Sequence, residues 1–208
     1  ESGVLGQRVV STVGPVLIIG SGLLGASLGL ALRAGGVRVY LEDASPTSLS
    51  LACDVGAGEA FGDVLAEAGV RRSGCGSDRL GYEAPRLVIV ATPPDVADRI
   101  IVESLLRFPD AIVTDVASVK DAVVADVLSG LRSEGCLDAA SRYVGSHPMA
   151  GRERSGAGAA DADLFYGRPW VIVAHETTWP RAVLTARALA TDVGAVPLEM
   201  NAGTHDHA

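Results

Sequence analysis

Cysteine is sparse: Cys53, Cys75 and Cys136 are the only three in 208 residues. Their spacing fits no metal-ligand pattern and no disulfide framework. An odd, scattered set of thiols is what a reducing compartment permits, so a cytoplasmic location is expected. Continuous apolar runs of the roughly 18 residues needed for a membrane span are also lacking. So is an amino-terminal stretch with a charged and then an apolar segment, the mark of a secretory leader. Positive charge is in deficit, with 17 Lys+Arg against 25 Asp+Glu and a net charge of −8. A nucleic-acid surface needs a basic face, so none is expected. No internal repeat and no low-complexity linker interrupts the chain.

What is present is a large apolar fraction, 48%, enough for a sizeable core. Short runs of strand character alternate with longer runs rich in Ala and Leu. Val16–Ile19, Val37–Leu41, Leu87–Val90, Ala111–Thr114, Tyr143–Val144, Val171–Val173 and Val196–Leu198 read as strands. The first is wholly apolar, as in a parallel strand covered on both faces. The periodicity over Thr178–Val193 predicts a helix, with Ala182, Ala186, Leu189, Ala190 and Val193 on one face and Gly194 as its stop. Strand–helix alternation of this kind predicts an α/β fold of Rossmann type: a mostly parallel sheet with helices on both faces. Arg71–Pro85 reads as a surface loop, and 156–163 as a small, polar loop or short helix.

Gly20-Ser21-Gly22-Leu23-Leu24-Gly25 follows the first strand directly and opens onto a helical run through Ala34. This is the setting in which GxGxxG binds a dinucleotide. The first glycine makes the turn, the second admits the pyrophosphate, the third lets helix and strand pack, and the helix amino terminus faces the phosphates. Asp43, at the end of the second strand, lies where a carboxylate accepts from a ribose hydroxyl and repels a 2′-phosphate. NAD is therefore expected over NADP. Glu42 competes for that role. FAD is a weaker candidate.

Three further loops should meet at the carboxyl edge of the sheet. Ala91-Thr92-Pro93-Pro94-Asp95 is stiffened by proline and suited to lining a cofactor, with Thr92 and Pro93 as contacts; Asp95 reads as a helix cap. In the Asp115–Lys120 loop, Ser118 is either a donor to substrate or the N-cap of a helix over Val119–Leu131, and Lys120 pairs either with an anion or with Asp115. The third loop, Gly145–Gly151, carries His147 between Ser146 and Pro148. An imidazole with a pKa near about 6.5 can take up a proton at neutral pH. His175 reads as a solvated turn residue. No metal site is expected.

The segments GSGLLGASLGLAL, ATPPD, TDVASVK, GSHPMAGRERSG, LFYGRPWVI and HDHA, taken in order, resemble the prephenate/arogenate dehydrogenase family of tyrosine biosynthesis. The resemblance runs over nearly the whole chain, and TDVASVK followed by GSHPMAG is its most specific part. It implies an NAD-linked oxidative decarboxylation of prephenate to 4-hydroxyphenylpyruvate, or of arogenate to tyrosine. It implies that His147 and Ser118 are catalytic and touch the ring hydroxyl, that Glu153 lies near the mouth of the substrate pocket, and that Gly20, Gly22, Gly25 and Asp43 hold the cofactor. His205-Asp206 matches the start of a helix leaving the nucleotide domain. Residues 1–200 are thus expected to form an NAD-binding domain. Residues 201–208 should begin a truncated helical domain, through which the full-length protein would dimerise. Without that domain the chain is expected to bind NAD but to turn over substrate poorly. Two alternatives stand beside it: another dehydrogenase of similar build, such as the β-hydroxyacid type, and a non-catalytic NAD-binding module.

Overall fold

The computed structural model of the protein describes residues 10–69, 82–150 and 156–201. Apolar runs become strands and the amphipathic runs between them become helices. In chain order these are β1 (Val16–Ile19), α1 (Leu23–Ala34), β2 (Val39–Glu42), α2 (Pro46–Asp54), β3 (Glu59–Ala60), α3 (Phe61–Glu67) and β4 (Leu87–Val90). Then follow α4 (Pro94–Arg107), β5 (Ile112–Asp115), α5 (Asp121–Ser133), β6 (Tyr143–Pro148), β7 (Pro169–Ala174), α6 (Pro180–Asp192) and β8 (Val196–Asn201). The strands form one sheet in the order β3-β2-β1-β4-β5-β6-β7-β8. Every neighbouring pair is parallel except β6 and β7, which run antiparallel. This is the expected mostly parallel α/β sheet.

Alternation along the strands divides the core into two layers. Val16 and Ile18 of β1 face a layer shared with α1 and α6, where Leu28, Leu32, Ala186 and Leu189 pack with Trp170. Leu17 faces the opposite layer, where Ile101 and Leu105 of α4, Val127 and Leu131 of α5, and Phe61 pack. The face expected of α6 is the buried one, and the helix ends just before Gly194, whose φ is +84°.

The start of α5 and the course of β6 differ from expectation. The α5 helix begins at Asp121 with Lys120 at its N-cap, so Ser118 does not open it. The residues around His147 form strand rather than loop. β6 pairs in parallel with β5 only at Tyr143 and Val144, then continues as an antiparallel partner of β7 from Gly145 to Pro148. Tertiary pairing with β7 carries the strand through a stretch whose Gly and Pro content reads locally as loop. Glu153, His205 and Asp206, and most of the 71–85 segment, lie outside the described residues.

Candidate cofactor and active site

The carboxyl ends of β1, β2, β4 and β5 open into a cleft of about 1290 Å³. Its floor is the turn between β1 and α1. The Gly20 N–H donates to the Glu42 carbonyl at 2.8 Å, extending the β1–β2 ladder by one rung. Gly20 has φ +100°, and a Cβ there would lie 2.5 Å from the Ala91 carbonyl oxygen. A Cβ on Gly25 would stand 1.9 Å from the Gly20 carbonyl oxygen, so the third glycine is what lets α1 lie against the turn. Gly22 differs: a Cβ there would meet nothing within 4 Å. The space it leaves is on the cleft, beside Leu23 and Leu24 at the first turn of α1, and no side chain caps that helix. Open space over uncapped helix amides is what a pyrophosphate needs.

At the end of β2 the two acidic candidates separate. Glu42 pairs with Arg107 of α4, its carboxylate oxygens 3.0 and 3.2 Å from Nη1. Asp43, also on the cleft wall, faces the glycine turn. Its Oδ2 accepts from the Ser21 N–H at 2.6 Å and the Ser21 hydroxyl at 2.7 Å, and its Oδ1 accepts from the Ser45 N–H at 2.7 Å. Ser21 itself is fully buried behind the wall and is not among the lining residues.

Across the cleft lie Thr92 and Pro93. The Thr92 Oγ1 is buried with no hydrogen-bond partner among the described residues, a vacancy that a polar group of a cofactor would fill. Pro93 is the N-cap of α4, and Asp95 lies inside its first turn, where a negative charge meets the helix dipole; it is not the cap itself. One face of α4 completes the wall with Val96, Arg99, Ile100, Glu103, Ser104 and Arg107. No motif marks these residues. Their 3–4 spacing is the signal that could have found them.

At the end of β5 sits a buried charged cluster. Asp115 and Lys120 are fully buried and ion-paired. Asp115 also accepts from the Ala117 N–H at 3.0 Å and from the Tyr143 hydroxyl at 3.0 Å. Burial and the neighbouring carboxylate hold the Tyr143 hydroxyl well above its ordinary pKa, so it stays a donor. Lys120 pairs with Asp115, one of the two partners open to it in the sequence. The turn that these bonds close presents half-buried Ser118 to the cleft.

His147 is half-buried on β6, at the same carboxyl edge as the end of β5, because the two strands run parallel. The residue before it, Ser146, is bonded to Thr114 of β5 through their hydroxyls at 2.9 Å. His147 is not among the residues lining the cleft, whereas Ser118 is. His175 is no solvated residue. Its ring stacks on Tyr143 at 6.0 Å between centroids, with Nε2 3.0 Å from the Ala140 carbonyl oxygen, and burial lowers its pKa. Among the described residues, no group of His, Cys, Asp and Glu could hold a metal ion. None of their helices is long and apolar enough to cross a membrane.

Residues 28–199 match the family described as prephenate dehydrogenase, nucleotide-binding domain. The chain belongs to that family. It is 38% identical over 192 residues to "Probable prephenate dehydrogenase NovF" of Streptomyces niveus, covering 92% of this chain and 46% of that protein. To the prephenate dehydrogenase of Bacillus subtilis it is 28% identical, covering 92% of this chain and 47% of that one. Among solved structures it superposes on prephenate dehydrogenase from A. aeolicus in complex with hydroxyphenyl propionate and NAD+. The TM-score is 0.76 at 28% identity, over 94% of this chain and 63% of that one. The chain thus spans about half the length of the curated relatives it matches.

Proposed function

We propose that this chain is the cofactor-binding part of an NAD-dependent dehydrogenase that oxidatively decarboxylates prephenate or arogenate. The observation that carries the proposal is the cleft itself: a glycine turn of dinucleotide-binding pattern, the Asp43 carboxylate and Ser118 all line it, within a prephenate dehydrogenase domain. NAD, when bound, supplies the hydride acceptor. Gly22 and the first turn of α1 receive its phosphates, Asp43 accepts from its ribose, and Thr92 and Pro93 close the opposite side.

Ser118 donates to the substrate hydroxyl from the end of β5. The His147 imidazole accepts the proton of that hydroxyl as it becomes a carbonyl, acting as general base. Hydride leaves the hydroxyl-bearing carbon, the electron pair freed by loss of carbon dioxide enters the ring, and the oxygen takes its proton back from the imidazolium, leaving an aromatic phenol. That product is so stable that the chain's main task is alignment. Glu153 is assigned to the substrate pocket by family resemblance alone. Cytoplasmic location, assembly as a homodimer and the remaining substrate contacts belong to the same proposal. The last two fall to the part of the relatives' length that this chain does not span.

Steady-state kinetics of the protein in its longest natural form, with prephenate and arogenate and with NAD and NADP, tests the assignment. His147→Asn should lower kcat by about 10²- to 10⁴-fold and leave the Kd for NAD within about twofold. An equal loss of both would overturn the role given to His147.

A further inference from the structure

The GxGxxG pattern constrains positions 20, 22 and 25 and leaves position 21 open. Here it is serine, fully buried, with both its donors spent on one acceptor, Asp43 Oδ2. An oxygen of a carboxylate has two lone pairs, so Oδ2 is saturated. Oδ1 takes the Ser45 N–H and keeps one acceptor direction. Ser45 is held in turn by its work at α2, where its hydroxyl accepts from the Ser48 N–H at 3.3 Å. The carboxylate is thereby clamped from behind by the glycine turn and from the side by the α2 cap. What it offers the cleft is one oriented acceptor and a fixed negative charge.

We infer that Ser21 is a specificity-determining positioning residue that enforces the choice of NAD over NADP through Asp43. A clamped carboxylate receives a ribose hydroxyl without losing rotational freedom on binding. It also stands in the way of a 2′-phosphate, because it is not free to swing aside and relieve like-charge repulsion. Without the Ser21 hydroxyl, the Ser21 and Ser45 amides alone hold the carboxylate, and both effects weaken together. The inference rests on the cleft being the NAD site proposed above.

Calorimetric titration of the 208-residue chain with NAD and with NADP tests it. Ser21→Ala removes only the hydroxyl. It should weaken NAD by about tenfold, the scale of one charge-assisted hydrogen bond, and leave NADP unchanged or slightly tighter. The preference for NAD then falls by about tenfold. Ser21→Gly should do the same. In an Asp43→Ala background the serine change should have no further effect on the preference, since its action passes through the carboxylate. An unchanged NAD/NADP ratio in Ser21→Ala, or an effect that persists in the Asp43→Ala background, overturns the inference while leaving the cleft assignment standing. Wild-type protein that binds neither dinucleotide overturns both.

Discussion

At the scale of single residues, His175 is a group whose protonation the fold penalises. Burial lowers its pKa below the ordinary 6.5, against the opposing pull of its contacts with the Ala140 and Tyr143 backbone. A histidine with a lower pKa folded than unfolded leaves the unfolded chain holding more protons on the acid side of that ordinary value. Stability from this group is therefore complete above about pH 6.5 and is lost as pH falls toward the folded pKa. Urea unfolding followed between about pH 7.5 and pH 5 should show the midpoint falling with acidity. His175→Gln, which keeps a donor for the Ala140 carbonyl, should flatten that fall. A variant with the same slope as wild type would assign the acid sensitivity elsewhere. Residue-scale surroundings such as these are not legible in sequence. His175 follows an apolar strand and precedes Glu-Thr-Thr, a pattern that reads as solvated turn. What buries it is Tyr143, more than thirty positions away.

At the scale of elements, the Asp115–Lys120–Tyr143 cluster joins β5, the turn carrying Ser118, and β6. Lys120 fits because residue 145 is glycine: a Cβ there would come within 3.2 Å of the lysine Cδ. Lys120→Met would leave the Asp115 carboxylate buried without its cation and should cost about 3–5 kcal/mol in chemical denaturation. Lys120→Met combined with Asp115→Asn should recover most of that, because the buried Asp115 charge is removed together with its cation. Equal losses in the single and double variants would show that packing, not charge, sets the cost. The same cluster explains which elements could be read beforehand. Strands made of apolar runs, such as β1 and β4, were plain from composition and period. So was the glycine turn, whose chemistry is local. The start of α5 was not, because the Asp115 bonds hold 116–119 out of the helix. β3 has two residues, too few for any period. Arg142 reaches back to the carbonyls of Leu105, Phe108 and Ala111 at the end of α4, a capping contact with no local sequence signal.

At the scale of the whole molecule, the sheet formed by the described residues has one long free edge, at β8. Val196 and Leu198 on it are about half exposed. The Val196 N–H bonds to the Arg168 carbonyl on the β7 side, so in a parallel ladder residue 197 directs its backbone outward. That residue is proline, which has no N–H to offer a second strand. Pro197→Val restores the donor between two exposed aliphatic residues. Sedimentation velocity over a concentration series should then show self-association above that of wild type, and unchanged behaviour would mean that the edge is protected by other means. The antiparallel step between β6 and β7 has a practical corollary. Strands before it point their carboxyl ends to the rim that carries the cleft, while β7 and β8 point theirs to the opposite rim. The carboxyl end of β8 thus lies about 20 Å from the cleft edge, the length of a six-residue strand, and a surface tether placed at that end of the strand sits on the far rim. Molecules immobilised there should keep the cleft turned toward the solution.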